Sequence, residues 1–296
     1  MANLKDIKAR IESVSETRKI TNAMYLISSS KMQKAKKALD LTRPYFDAVK
    51  GEIKRIFRTA SDVQSIYLYP DEGSKGLNGT FAYLVITADK GLAGSYNHNV
   101  LREAMNSISE HKDFKLFVVG EYGRQFFLSH GIPIERSFLY TAQNPTFHRA
   151  REITAVLIDL FINRRIDQLF IIYTDYRNGI SSNVKTSRLL PFHKTLFSAP
   201  TGERRISHEF EFYPSVGHVL ESIAPSFVQG FIFSALIDSF CCEQSARMAA
   251  MDSANRNADK LLHELRLTYN HLRQSSITQE ITEVSAGAKY SRNGRG

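Results

Sequence analysis

At 296 residues, 43% hydrophobic and 23% charged, the chain has the length for one large or two ordinary domains and the balance of a folded protein, which excludes a disordered or fibrous one. Its two cysteines, Cys241 and Cys242, are adjacent and would point about 100° apart on a helix, which excludes a disulfide framework and a cysteine metal site. The formal charge of +9 is concentrated: residues 1–58 carry 14 Lys and Arg against 6 Asp and Glu, residues 59–229 carry 17 against 17, and residues 230–296 carry 8 against 7.

The first segment, Asn3 to Arg58, predicts a helix. Leu4, Ile7, Ile11 and Val14 recur at steps of three and four, and Ile20, Met24 and Ile27 resume the stripe after a gap bridged by Thr17. Pro44 either opens a new helical segment or kinks a continuing one, because it lacks the N–H of one ladder bond. A basic helix of this kind attracts an acidic surface, whether nucleic acid, anionic lipid or protein, and charge alone does not choose among them. The opening MANLKDIKAR is charged where a signal peptide needs apolar residues, and no run of 18 apolar residues follows. An intracellular chain is expected, one still able to dock on a membrane protein.

The middle alternates strands and helices. FAYLVITAD (Phe81 to Asp89), KLFVVG (Lys115 to Gly120) and QLFIIYTDY (Gln168 to Tyr176) read as buried strands. Asn99 to His111, Tyr122 to Gly131 and Arg149 to Arg165 read as helices between them. That order implies a mostly parallel sheet of Rossmann-like type, with SNVKTSRLLPF (Ser182 to Phe192) as a further strand, its direction, parallel or antiparallel, left open. The stretches Ser61 to Gly79 and Ser198 to Pro214 read as connections.

From Phe231 to Ala286 there is neither proline nor glycine, so one helix of roughly 80 Å is expected. Its stripe is small: Ala235, Ser239, Cys242, Ala246, Ala249 and Ser253, continued by Leu261, Leu265, Thr268 and Leu272. Small side chains let two helix backbones approach closely. Two long helices at opposite ends, each with a narrow stripe, predict an antiparallel coiled coil formed by residues 1–58 and 230–288. A central α/β domain over 59–229 and a flexible basic tail over 289–296 complete the organisation.

Chemistry is sparse. Gly91 and Gly94 follow a strand and precede a helix, but they form no G-x-G-x-x-G and no Gly-Lys-Ser/Thr follows, so a phosphate loop is not expected. GSKGLNG, Gly73 to Gly79, precedes its strand and so faces the wrong end of the sheet. No H-x-x-x-H pair occurs among nine histidines; His98, His111 and His130 read as surface or loop residues. Ser95 lacks the second glycine of a nucleophile elbow, and Asp89 reads as a turn former before Lys90. A catalytic, cofactor or metal site is therefore not expected in this chain.

Three stretches resemble the gamma subunits of F-type ATP synthases. They are LKDIKARIESVSETRKITNAMYLISSSKMQKAKKA with its K-I-T-x-A-M at Lys19 to Met24 and S-K-M at Ser30 to Met32, the central ITADKGLAGSYNHNV, and Glu243 to Ala288 along its whole length. The resemblance implies a rotor shaft. Its coiled coil would stand inside a ring of three alpha and three beta subunits, with the α/β domain and lower shaft on the epsilon subunit and the membrane c-ring, and a delta subunit elsewhere in the complex. It implies coupling of proton flow to ATP synthesis or hydrolysis at the beta subunits, which bind ATP, ADP and Mg; this chain binds no cofactor and no nucleic acid. It implies a peripheral position on the cytoplasmic face of a bacterial plasma membrane, with mitochondrial or chloroplast membranes as alternatives.

Carried over residue by residue, Met24, Lys19 and Lys31 match contacts toward an acidic beta-subunit loop. Arg247 matches an arginine near that contact, and Arg273, Gln274, Thr278 and Glu280 match upper ring contacts. Met24 and Thr278 also have plain packing roles open to them. Ala93 and Ser95 depart from the family's frequent cysteine and glycine, and the tail KYSRNGRG is longer and more basic than its usual end. The residues alone also allow a basic coiled-coil scaffold or a nucleic-acid-binding protein.

Overall fold

Parallel strands buried on both faces need near-continuous apolar sequence, and β1 (Phe81–Ile86) has it: every residue after Phe81 is buried. A computed structural model describes residues 4–59, 65–68, 79–139, 141–177, 181–193 and 212–293. The chain divides into two units, one of residues 29–247 and one pairing residues 1–28 with 248–296.

In the larger unit β1 is followed by α2 (Tyr96–Ser109), β2 (Phe114–Val119), α3 (Glu121–Ser129), β3 (Arg136–Phe138), α4 (Phe147–Ile162), β4 (Gln168–Arg177) and β5 (Ser181–Leu190). The sheet order is β3-β2-β1-β4-β5. β1 pairs in parallel with β2 and β4, and β5 runs antiparallel to β4. The two-residue period of a strand divides its side chains between two cores. Leu84, Ile86, Phe117 and Ile171 face one core with α4 and parts of the two terminal helices. Tyr83, Val85, Leu116 and Ile172 face the other with α2. β3, three residues long, carried too short a pattern to be read in advance.

The terminal helices are α1 (Leu4–Thr59) and α5 (Val216–Asn293). α1 runs through Pro44 without ending. α5 opens at Val216, earlier than the expected Gly230, and includes Pro225. Leu220, Ala224, Val228 and Ile232 are fully buried at steps of four, and that burial offsets the ladder bond lost at the proline. The helix also continues past residue 288 to Asn293, where a flexible tail was expected; residues 294–296 lie outside those described, as do most of the stretches read as connections at 61–79 and 198–214. Among the described residues α5 alone is long and apolar enough by composition to cross a membrane. Its apolar stretch from Leu220 to Cys241 is core of the α/β unit.

The small stripe of α5 has a different partner from the one expected. Ser239 accepts a hydrogen bond from the Thr174 N–H at 3.2 Å, and the Cys242 thiol donates to the Thr174 carbonyl at 3.7 Å. Small side chains at these positions bring α5 against the backbone of β4. Against α1, close approach falls instead at Gly230, where a Cβ would overlap the Phe46 ring. Phe46 is itself packed on Phe147 and Phe233.

A cavity of about 650 Å³ opens beside β4 and β5, walled by Phe46, Phe170, Tyr173, Phe227 and Phe231, with Asp238 at its edge. Burial, then the neighbouring Asp175 carboxylate, push the Asp238 carboxyl up to about 7, with Lys185 and Arg43 opposing the shift. The same surroundings keep both cysteine thiols protonated, first by burial and then by Asp238.

Gly230→Ala is expected to lose about 1–3 kcal/mol in urea unfolding because the Phe46 ring would be pushed off its packing on Phe147 and Phe233, and Phe46→Leu in the same chain recovers part of it. Asp238 gives a pH signature. Between about pH 4 and pH 7 the folded chain retains a proton that the unfolded chain has lost, so stability falls as pH rises across that window. Asp238→Asn removes this contribution, and its melting temperature should drop less than the parent's between about pH 5 and pH 8.

Candidate functional site

A seven-residue repeat keeps its phase along a paired helix, so residues seven apart share a face. On α1 the inward lines are Leu4, Ile11, Arg18 and Tyr25, and Ile7, Val14, Thr21 and Ser28. On α5 they are Met251, Ala258, Leu265 and Leu272, and Asn255, Leu262, Tyr269 and Ser276. Ile7, Ser28, Met251 and Leu262 are the most enclosed. Arg18 pairs with Asp259 at 2.7 Å and the Thr21 hydroxyl donates to the Asn255 side-chain oxygen. Rising numbers on α1 meet falling numbers on α5, so the pair is antiparallel.

The second half of the expected seam is corrected. Ile20 and Ile27 do not continue it; they are 61% and 54% exposed, and Arg18, Thr21, Tyr25 and Ser28 hold the inward phase. On α5, Ala249, Ser253 and Thr268 are likewise exposed, one or two positions off the line through Met251 and Asn255. Apolar spacing alone favoured Ile20 and Ile27, whereas the unbroken heptad from Leu4 requires the polar residues.

The outward lines then collect most of the candidate residues. Exposed Lys19 shares a line with exposed Leu26, whereas half-buried Met24, seven residues after exposed Thr17, flanks the seam beside Tyr25. On α5, Gln274 lies between Leu267 and Ile281, Arg273 precedes Glu280, and Ile277 precedes Val284; all seven are exposed. The exposed Thr278 hydroxyl donates to the Gln274 carbonyl at 2.8 Å. The face therefore alternates large apolar groups with polar ones, the composition of a surface that meets a partner. Part of the basic excess on α1 is locally paired: Lys19 with Glu16 at 2.7 Å and Arg55 with Glu52 at 3.1 Å.

Lys31 and Arg247 belong to the α/β unit. Lys31 is exposed. Arg247 is not: its guanidinium pairs with Glu243 at 2.6 Å, with side chains 10% and 8% exposed, and donates to the Gly91 carbonyl at 3.0 Å and the Lys90 carbonyl at 3.4 Å. Burial raises the Glu243 carboxyl; Arg247 opposes that shift most, and Asp89 and Lys31 act in opposite senses on it. Glu243 was missed in the sequence because a single i,i+4 pair on a long helix is commonplace on surfaces.

These groups fill a particular place. In a doubly wound sheet, ligands enter outside the carboxyl ends of strands where the order reverses, here between β1 and β4. Ser239, Cys242, Glu243 and Arg247 of α5 occupy that end of the sheet, against Thr174 and the loop after β1. Tyr96, at the start of α2, is buried with them, and burial and then Glu243 raise its phenol well above the ordinary range. Asp89, read above as a turn former, accepts from the Glu121 N–H at 3.0 Å and the Gln143 N–H at 3.1 Å. It ties loops together. Among the described residues no group of three or more His, Cys, Asp or Glu could hold a metal ion.

A paired two-helix segment with a mixed outward face, joined to an α/β unit whose ligand crevice is filled by its own helix, defines a protein that acts through docking surfaces. Comparison with known proteins gives the family. A family model described as ATP synthase matches residues 3–289. An ATP synthase gamma chain of Caldanaerobacter subterraneus subsp. tengcongensis is 42% identical over 96% of this chain and 98% of its own. One from Ruminiclostridium cellulolyticum is 38% identical over 97% and 98%. A chain in the central stalk/c-ring structure of Tetrahymena thermophila mitochondrial ATP synthase superposes with a TM-score of 0.61 at 25% identity, covering 79% of this chain and 99% of that one. This chain belongs to the ATP synthase gamma chain family, the rotor-stalk subunits of F-type ATP synthases.

The polar seam can be tested directly. Thr21→Val with Asn255→Leu replaces one polar pair by apolar packing and should raise the denaturant midpoint by about 1–2 kcal/mol of stability. Asp259→Asn should cost less than about 1 kcal/mol, since Arg18 and Asp259 are half exposed, and the loss should shrink in high salt.

Proposed function

We propose that the helix pair of residues 1–28 and 248–293 turns inside a ring of three alpha and three beta subunits. The α/β unit sits with the epsilon subunit on a membrane c-ring, a delta subunit completes the complex elsewhere, and the assembly lies on the cytoplasmic face of a bacterial plasma membrane. ATP, ADP and Mg bind at the partner subunits, and this chain contributes position. What supports the reading is the outward face of the pair, where Ile20, Leu26, Ile27, Leu267, Ile281 and Val284 are all exposed with no partner surface in the chain's own seam.

Such a surface suits a shaft. One asymmetric rod facing three equivalent sites stabilises a different conformation in each, and rotation passes each site through all of them. Groups that bind and release at every step need shallow contacts. Arg273, Gln274 and Glu280 offer reversible hydrogen bonds; Lys19 and Lys31 offer charge toward an acidic loop, and half-buried Met24 offers a soft apolar contact. Thr278 contributes chiefly shape, because its hydroxyl is already donated within the helix.

Reconstitution with alpha and beta subunits tests this. Arg273→Ala with Gln274→Ala should leave nucleotide binding to beta intact and slow rotation-coupled ATP turnover about tenfold, the effect of losing roughly 1.4 kcal/mol at one step. Deletion from Leu272 onward should abolish coupled synthesis. Full coupled synthesis by the deleted chain, or failure of the intact chain to co-purify with alpha and beta, would sink the proposal.

A further inference from the structure

The loop after β1 is held in a conformation that its own residues disfavour. Leu92 has φ +60° and Gly94 φ +55°. For glycine that is ordinary; for leucine the left-handed region is strained, and its side chain is also 68% exposed, so it gains little burial in return. Such a residue persists only when its surroundings over-determine it.

The surroundings are on three sides. Asn97 accepts from the Ala88 N–H at 3.0 Å, and Asp89 holds the N–H groups of Glu121 and Gln143. On the third side stands α5. Arg247 reaches the Gly91 and Lys90 carbonyls while Glu243 fixes the guanidinium, and a Cβ on Gly94 would lie 3.9 Å from the Ala246 carbonyl. An almost fully buried Arg–Glu pair is a poor source of net stability, since desolvation offsets its attraction. Its planar fork is well suited to another task, holding a carboxylate and a carbonyl at fixed angles at once.

We infer that Arg247 is a positioning residue: clamped by Glu243, it locks the Lys90–Gly94 loop to α5, so that the carboxyl end of β1 and the helix turn as one body. This rests on the rotor reading. Torque entering through the sheet reaches α5 through this strut as well as along the chain, and Leu92 is presented outward in a constant place. Arg247 therefore acts through the loop, where the resemblance alone had cast it as a contact with the ring.

The test uses the assembled complex with Arg247→Gln, Arg247→Lys, Glu243→Gln and the Glu243→Gln, Arg247→Gln pair. Amide hydrogen exchange over residues 90–95 and the number of ions moved per ATP hydrolysed are read together. Arg247→Gln should speed exchange in the loop at least about tenfold, the effect of about 1.4 kcal/mol lost locally, and lower the ion-to-ATP ratio severalfold. Glu243→Gln should act in the same direction, and the double variant should be no worse than the more severe single one. Arg247→Lys keeps the charge beside Glu243 but not the fork, so the loop should still exchange faster; it decides the matter if Arg247→Gln does not assemble. Unchanged loop exchange in Arg247→Lys, additive effects of the pair, or a lowered ratio without faster loop exchange would overturn the inference. Failure of the unaltered chain to assemble would instead remove the rotor reading beneath it.

Discussion

Thr21 meets Asn255, and Arg18 meets Asp259, across a seam where leucines are the usual occupants. The rest of the helix pair depends on that exchange of apolar for polar contact. Because the inward lines are partly filled by groups that satisfy each other, Ile20, Leu26 and Ile27 are left outside. A leucine seam with a charged exterior would make a more stable and more solitary pair. Here apolar area lies on the surface rather than in the seam, where a partner could use it.

A second constraint operates at the carboxyl end of the sheet. The strand order is one that leaves a crevice between β1 and β4, and many proteins of that topology place a ligand there. In this chain α5 enters it. Ser239 and Cys242 replace solvent at Thr174, and Arg247 caps the Lys90 and Gly91 carbonyls of the loop after β1. The fold has kept its architecture and lost its vacancy, so fold alone is a misleading guide to activity. The carboxylate and guanidinium found there hold loop and helix together, and perturbed titration at Glu243 reflects burial in that joint.

Much of this was legible in the residues. The runs at Phe81, Lys115 and Gln168 are too apolar and too short for anything but buried strands, and two terminal helices separated by an α/β pattern leave few pairings. What escaped was set by phase and partner. Ile20 and Ile27 look like a stripe to a spacing rule, and only the unbroken heptad shows that they fall between the inward lines, one position before Thr21 and Ser28. Glycine and proline at 230 and 225 argued for a helix start that burial of Leu220, Ala224 and Val228 overrules. The small stripe from Ala235 to Ala246 announced close approach correctly, but sequence holds no mark of which backbone approaches, and at Ser239, Cys242 and Ala246 it is a strand and a loop. Arg247 likewise carries the same letters whether it projects outward or is locked within.

The Thr21–Asn255 contact spans 234 residues of chain. At roughly 5–20 residues per second of translation, α1 leaves the ribosome on the order of ten to fifty seconds before the strand of residues that completes its seam. During that interval Leu4, Ile7, Ile11 and Val14 have no mate, and the many Lys and Arg around them supply the repulsion that keeps nascent copies apart. Any chain released before α5 is finished carries a permanently bare seam, so only complete products can hide it, and incomplete ones remain visible to chaperones and proteases.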